Sequence, residues 1–242
     1  MDNFVDFLVN RVVMSISPIR ASATTYHGQC TWHFSQCKDP VRSLIATAET
    51  TKNGICEILA AKWVALEVGN NTTLVNWLAG GGTGHRSQLD LAKLALLAQT
   101  FGTAGGGEAQ GEATRAWMET QRVRQHQTFD MGGATQRGTA KFNLDHLLGD
   151  LRRRVTARTV GNPLIALITV AEQNRWLGYK GHIMAVRIHA GGNPVVKYFD
   201  PNYGEFTFNS FANFSDWFRS YFRDSHYQDF LGTYYKLRYF TA

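Results

Sequence analysis

An α+β fold is what this 242-residue sequence predicts, and three observations carry that expectation. Apolar residues recur at helical spacing through the first two thirds of the chain. From Pro163 onward, short β-rich runs are separated by turn residues. No repeat period links the two parts, so helices and strands are segregated rather than alternating, which favours an antiparallel sheet. Composition agrees, since 44% hydrophobic and 18% charged residues describe a chain able to bury a core. A single domain over 1–242 is expected, with 1–50 as an N-terminal extension and glycine-rich loops over 80–112.

Taken in order, Phe4, Phe7, Leu8 and Val12 predict a short amphipathic helix over 3–13, closed off by Pro18. Residues 20–52 are rich in Ser, Thr and Gln without a period, and read as irregular. Ile55, Ile58, Leu59, Trp63 and Leu66 then follow the 3.6-residue period, with Ala60, Ala61 and Ala65 permitting close packing. Gly69-Asn70-Asn71 ends that helix. After Gly80 to Gly84, Ser87 is placed to cap a helix carrying Leu89, Leu91, Leu94, Leu97 and Ala98. The glycine-rich run over 102–111 precedes helical sequence to about residue 126, and Asn143 can cap a helix with Leu144, Leu147, Leu148 and Leu151 on one face.

The last third changes character. Leu164 to Ala171 is an apolar run of strand length. His182 to Ile188 and Val195 to Phe199 form a hairpin around Ala190-Gly191-Gly192-Asn193-Pro194. Glu205 to Phe208 is a further short strand. Asn209 is placed to cap a helix with Phe211, Phe214, Phe218 and Tyr221 in phase, and Tyr234 to Phe240 is a last strand.

Charge and cysteine usage exclude several classes. The net charge is +6, but the basic residues are scattered. The dense run Arg152-Arg153-Arg154 with Arg158 reads as a solvated helix end without aromatic interleaving, so no nucleic-acid partner is expected. Three cysteines, an odd number, argue against a disulfide scaffold. Cys30 and Cys37 flank His33, yet no second Cys/His pair completes a four-ligand site, and neither metal nor cofactor is expected. Asp2 and Asp6 stand where a secretory signal is basic, and no run reaches the roughly 18 apolar residues of a membrane span. A soluble chain is expected.

Three polar residues remain as candidates for chemistry. With Thr51 or Asn53 as cap, Cys56 lies in the first turn of its helix, where orphan N–H groups and the helix dipole favour a thiolate. His182 opens a strand after Gly181 and can serve as base and then acid. Asp200 ends the next strand, 18 residues on, so a hairpin between them brings carboxylate and imidazole side by side. An aspartate there orients the ring and stabilises its charged form. Each residue alone also has a structural reading: a small buried apolar group, or a histidine bonded to a carbonyl. The hairpin pairing favours the chemical one.

The segments around these residues resemble the YopT/AvrPphB family of papain-like bacterial effector cysteine proteases. Asn53-Gly54-Ile55-Cys56-Glu57-Ile58-Leu59 with Trp63 is similar to that family's nucleophile helix, and Gly181-His182-Ile183-Met184-Ala185-Val186 to its histidine strand. Tyr198-Phe199-Asp200-Pro201-Asn202-Tyr203-Gly204-Glu205-Phe206 is similar to its acidic segment. The resemblance spans about 50–70 and about 163–240. It implies a papain-like domain, its nucleophile helix packed on a mostly antiparallel sheet, acting as a thiol endopeptidase with Cys56 as nucleophile, His182 as base and acid, and Asp200 as orienter. It further implies an oxyanion site made by the Cys56 N–H and an upstream polar group, Asn53 or Thr51. The partner implied is a host protein, of the Rho-type GTPase or kinase class, met after delivery into host cells by a specialised secretion route. Peripheral association with a membrane near that substrate would accompany it. Gly28-Gln29-Cys30 is compatible with a processed, lipidated N-terminus, although Trp32 stands where that signal has Ser or Thr. Two other classes fit the same residues: a glutamine deamidase or transglutaminase, and a binding module on a protease-like scaffold.

Overall fold

In the computed structural model, the described residues are 4–46, 55–69, 72–79, 89–101, 108–132, 144–156, 162–174, 178–189, 195–231 and 234–241. Helices are α1 (Phe4–Thr25), α2 (Val41–Ala46), α3 (Cys56–Gly69), α4 (Leu74–Leu78), α5 (Leu91–Phe101), α6 (Glu108–Thr120), α7 (Leu144–Thr156), α8 (Phe211–Asp224) and α9 (Tyr227–Phe230). Strands are β1 (Gly28–Trp32), β2 (Arg124–Gly132), β3 (Leu164–Asn174), β4 (Gly178–Ile188), β5 (Val196–Asp200), β6 (Gly204–Phe208) and β7 (Tyr234–Thr241). They form one seven-stranded antiparallel sheet in the order β1-β6-β5-β4-β3-β7-β2.

Strand alternation builds two cores, one on each face. Leu164, Ala166, Ile168 and Val170 of β3 join Met184, Val186 and Tyr198 in the core covered by α1, α7 and α8. Ile165, Leu167, Ile183, Ala185 and Phe199 face the other way, against α3 and the helices that follow it. The period of two thus serves both faces, because both are buried. Helix α3 is buried nearly all round: Leu59, Ala60, Ala61, Trp63 and Val64 have no exposed surface. Its alanines let it lie close on the sheet.

Several expectations are corrected. The first helix does not stop before Pro18 but continues to Thr25 with the proline inside. Ile16, Ile19 and Ala23 are buried on both sides of it, and that apolar burial offsets the roughly 3 kcal/mol a mid-helix proline costs. Residues 20–46 are not irregular, since they complete α1 and supply β1 and α2, while 47–52 lie outside the described residues. Strand β1 was hidden because it is a half-covered edge with Gln29 and Thr31 exposed. Helical sequence to 126 gives way at Thr120, and β2 begins at Arg124. Asp90 caps α5 by accepting from Lys93 N at 3.0 Å, and Ser210 caps α8 by accepting from Asn213 N at 3.1 Å. Those roles had been expected of Ser87 and Asn209; Ser87 and Asn143 lie outside the described residues, as do Asn70-Asn71, Gly80 to Gly84 and the 190–194 turn.

Candidate active site

Cys56 is the first residue of α3 and is half-buried. Ile55 is the residue that begins the helix, its carbonyl accepting from Leu59 N at 3.0 Å. An isoleucine offers no capping oxygen. The acceptor comes instead from another segment: Gln36 Oε1 takes the Ile55 N–H at 2.9 Å. Thr51 and Asn53 were the residues expected to cap this helix. Both of those residues lie outside the described residues. The N–H groups of Cys56 and its successors in the first turn have no intrahelical acceptor and are aimed at the thiol end of the helix.

His182 lies within β4, four residues after its start at Gly178, rather than opening the strand. Val186 pairs with Tyr198 and Ala185 with Phe199, so the register, carried one step further, sets Asp200 beside Met184. His182 is therefore the diagonal neighbour of Asp200 on one face, not its direct partner. A long imidazole reaches across that diagonal. Its Nε2 lies 3.0 Å from Asp200 Oδ1, with both side chains buried. Nδ1 is the ring nitrogen not engaged by Asp200, and Cys56 lies near enough to the ring to favour its charged form.

Electrostatics follow from this burial. Desolvation pulls the His182 pKa down, but the Asp200 charge and hydrogen bond outweigh it, and Cys56 adds to them. The net effect is a rise to about 10. The ring is held as imidazolium.

Asp200 is itself surrounded by donors. The Asn202 N–H gives to Oδ1 at 2.6 Å, and Tyr227 gives to Oδ2 at 3.2 Å. Tyr221 makes a short bond to the same Oδ2. Burial first, and then the Asp200 charge, raise the pKa of both tyrosines well above the ordinary value, so they stay donors. The turn after β5 makes this possible: Tyr203 N closes on Asp200 O at 3.1 Å, and Gly204 takes φ +114° beneath the Trp32 carbonyl. A Cβ at that glycine would collide with backbone.

Tyr221, Tyr227 and Gln36 were not singled out from the sequence as site residues. Tyr221 belongs to an apolar helix face and gives no sign of its hydroxyl's partner. Gln36 lies 20 residues before the cysteine, in sequence without a period. Its neighbours Phe34, Ser35 and Lys38 line a cavity of about 500 Å³, with Arg20, Trp32 and Val41. Cys30 and Cys37 are free thiols. Burial pushes the Cys30 pKa up to about 11 and that of Cys37 up to about 12. Among the described residues no group of three or more His, Cys, Asp or Glu is placed to hold a metal ion.

Comparison with known proteins bears on the family and the fold. The sequence is 26% identical over 219 residues to "Cysteine protease YopT" of Yersinia pseudotuberculosis, covering 87% of this chain and 62% of that one. It is 25% identical over 225 residues to "Protein adenylyltransferase and cysteine protease IbpA" of Histophilus somni, covering 88% of this chain. The chain spans only 5% of the length of the Histophilus protein. Among solved structures, the Pseudomonas avirulence protein AvrPphB superposes with a TM-score of 0.51 at 14% identity, covering 81% of this chain and 95% of that one. That likeness gives the fold, a papain-like α+β domain. A family model, Peptidase_C58, described as Yersinia/Haemophilus virulence surface antigen, matches residues 20–241. The chain belongs to this family, whose relatives here carry the name cysteine protease.

Proposed function

We propose that the chain is a thiol endopeptidase in which Cys56, His182 and Asp200 act as nucleophile, base-acid and orienter. One observation carries this reading: the buried His182 ring is hydrogen-bonded through Nε2 to Asp200, and Cys56, at a helix N-terminus, lies near enough to favour the ring's charged form. The Cys56 sulfur attacks the scissile carbonyl carbon as its proton resides on His182. The resulting oxyanion is met by the Cys56 N–H, with Asn53 or Thr51 as the second donor. His182 then gives its proton to the departing amine, leaving a thioester. Water, deprotonated by the same ring, hydrolyses that thioester and restores the thiol. Asp200 keeps Nε2 engaged and balances the imidazolium throughout.

The substrate in this reading is a host protein of the Rho-type GTPase or kinase class. It is met in the host cytosol after delivery by a specialised bacterial route, with peripheral membrane association near it. The likeness to YopT and AvrPphB supports that placement. A screen for new protein N-termini in host lysate, comparing this chain with Cys56→Ala, tests it. New termini only with the parent are expected. Termini produced equally by Cys56→Ala would remove the mechanism, and a mass change at glutamine without cleavage would replace it by deamidation.

A further inference from the structure

Between the helix that carries Cys56 and the turn that carries Asp200 runs a continuous line of polar groups. The Ile55 N–H donates to Gln36 Oε1 at 2.9 Å. Gln36 Nε2 donates to Asn202 Oδ1 at 2.8 Å, and Asn202 Nδ2 donates to Tyr227 Oη at 2.7 Å. The Tyr227 hydroxyl donates to Asp200 Oδ2 at 3.2 Å. Gln36, Asn202 and Tyr227 are all buried. A backbone N–H can only donate and a carboxylate can only accept, so the ends of the line dictate which way every amide and hydroxyl between them must point. The two carboxamides therefore have one orientation each. A second tie runs in parallel, Gln36 N donating to Pro201 O at 2.7 Å.

We propose that Gln36 and Asn202 are positioning residues, forming with Tyr227 a directional relay that sets the separation of the Cys56 thiol from the His182–Asp200 pair. This rests on the reading of the site given above. The physical reason is that Cys56 and the His182–Asp200 pair stand on different elements. The nucleophile begins a helix, while its partners sit on two strands, and neither element dictates the distance to the other. The helix lacks a capping side chain of its own at Ile55. Gln36 accepts from the Ile55 N–H, one residue ahead of Cys56, and simultaneously grips the residue two beyond Asp200. One carboxamide thus couples the nucleophile's helix start to the turn that aims the carboxylate. No single-ended cap could do so.

Gln36→Glu tests the relay because it preserves shape and removes one donor. An ionised carboxylate still accepts from Ile55 N but cannot donate to Asn202 Oδ1. A protonated one can do both. The titratable groups around it are Cys37, whose thiol donates to the same Asn202 oxygen at 3.2 Å, together with Cys56, His182, Asp200 and Tyr227. The rate of Cys56 alkylation by iodoacetamide, located by peptide mapping, is measured from about pH 5 to about pH 9 for parent and variant. The variant is expected to match the parent at the acid end and to fall about tenfold behind as its new carboxyl ionises. Asn202→Asp, which removes the next donation instead, should show the same crossover. Gln36→Leu should be slow at every pH.

Thermal melts at each pH establish which variants are folded, and if Gln36→Glu unfolds, Asn202→Asp decides. Parallel profiles, whether equal to the parent or lowered by a constant factor, would overturn the relay. A parent whose Cys56 reacts no faster than Cys30 or Cys37 would instead overturn the triad itself, so the two failures are distinct.

Discussion

At the scale of single residues, the site is governed by how much charge a dry place can hold. His182 is 4% exposed and Asp200 0%. Such burial would normally expel a charge, and the close carboxylate is the main influence that keeps the imidazolium. The sign of the pH dependence follows. A histidine whose pKa is raised to about 10 contributes stability fully below its ordinary value of 6.5 and loses it as pH climbs through the raised value. Asp200→Asn removes the largest of the influences that raise it. The alkaline limb of Cys56 alkylation should therefore move to lower pH, and unfolding should become easier by about 3 kcal/mol, as for other broken buried pairs. An unchanged limb in the pH–rate profile would contradict this account. Tyr221→Phe removes one donor from the same carboxylate, and urea unfolding should register a loss of about 2 kcal/mol.

Elements are held in place by polar clamps as well as by apolar packing. Helix α3 is tied to the sheet at three points along its length. Glu57 accepts from Arg238 at 2.8 Å and from Thr114 at 2.7 Å. Trp63 Nε1 donates to Glu205 at 2.7 Å, and Glu67 receives Arg187 at 2.7 Å and Lys197 at 2.6 Å. These contacts set the roll of a helix that is apolar on nearly every side and would otherwise have little preference. Glu67→Ala leaves two mostly covered cations without that carboxylate. A lowered urea midpoint corresponding to about 3 kcal/mol is expected. Ala61→Leu should also destabilise, by about 2 kcal/mol, because the helix cannot move off the sheet to admit the larger side chain. At the β5–β6 turn, Gly204→Ala adds a Cβ against the Trp32 carbonyl at positive φ. Its cost should be about 2 kcal/mol or more, accompanied by slower Cys56 alkylation as Asp200 loses its aim.

For the molecule as a whole, the N-terminal segment is structural. Val12, Ile16, Ile19 and Ala23 of α1 are buried in the same core as α8, and Arg20 holds the Tyr203 and Phe34 carbonyls at 2.7 and 2.6 Å. Removing residues 1–27 strips several side chains worth roughly 2 kcal/mol each from a fold whose whole stability is of that order times a few. Loss of a cooperative thermal transition is the expected result, monitored by circular dichroism. Much of the rest was legible beforehand. The period of 3.6 around Trp63, the apolar run at Leu164 and the hairpin spacing gave α3, β3, β4 and β5 with errors of a few residues. Strands β1 and β2 were not legible, because edge strands carry polar, half-exposed residues that resemble loops. Pro18 misled for the opposite reason, a local rule overridden by distant packing. So the sequence by itself determined the helical and β-rich halves, singled out Cys56, His182 and Asp200 as candidates, and gave the reach of the last two toward each other. Only the tertiary structure decided that the contact is diagonal, that tyrosines from α8 and α9 crowd the carboxylate, and that Gln36 links it to the helix that begins at Cys56. Those contacts join residues far apart in the chain, where periodicity and propensity carry no information and packing alone chooses.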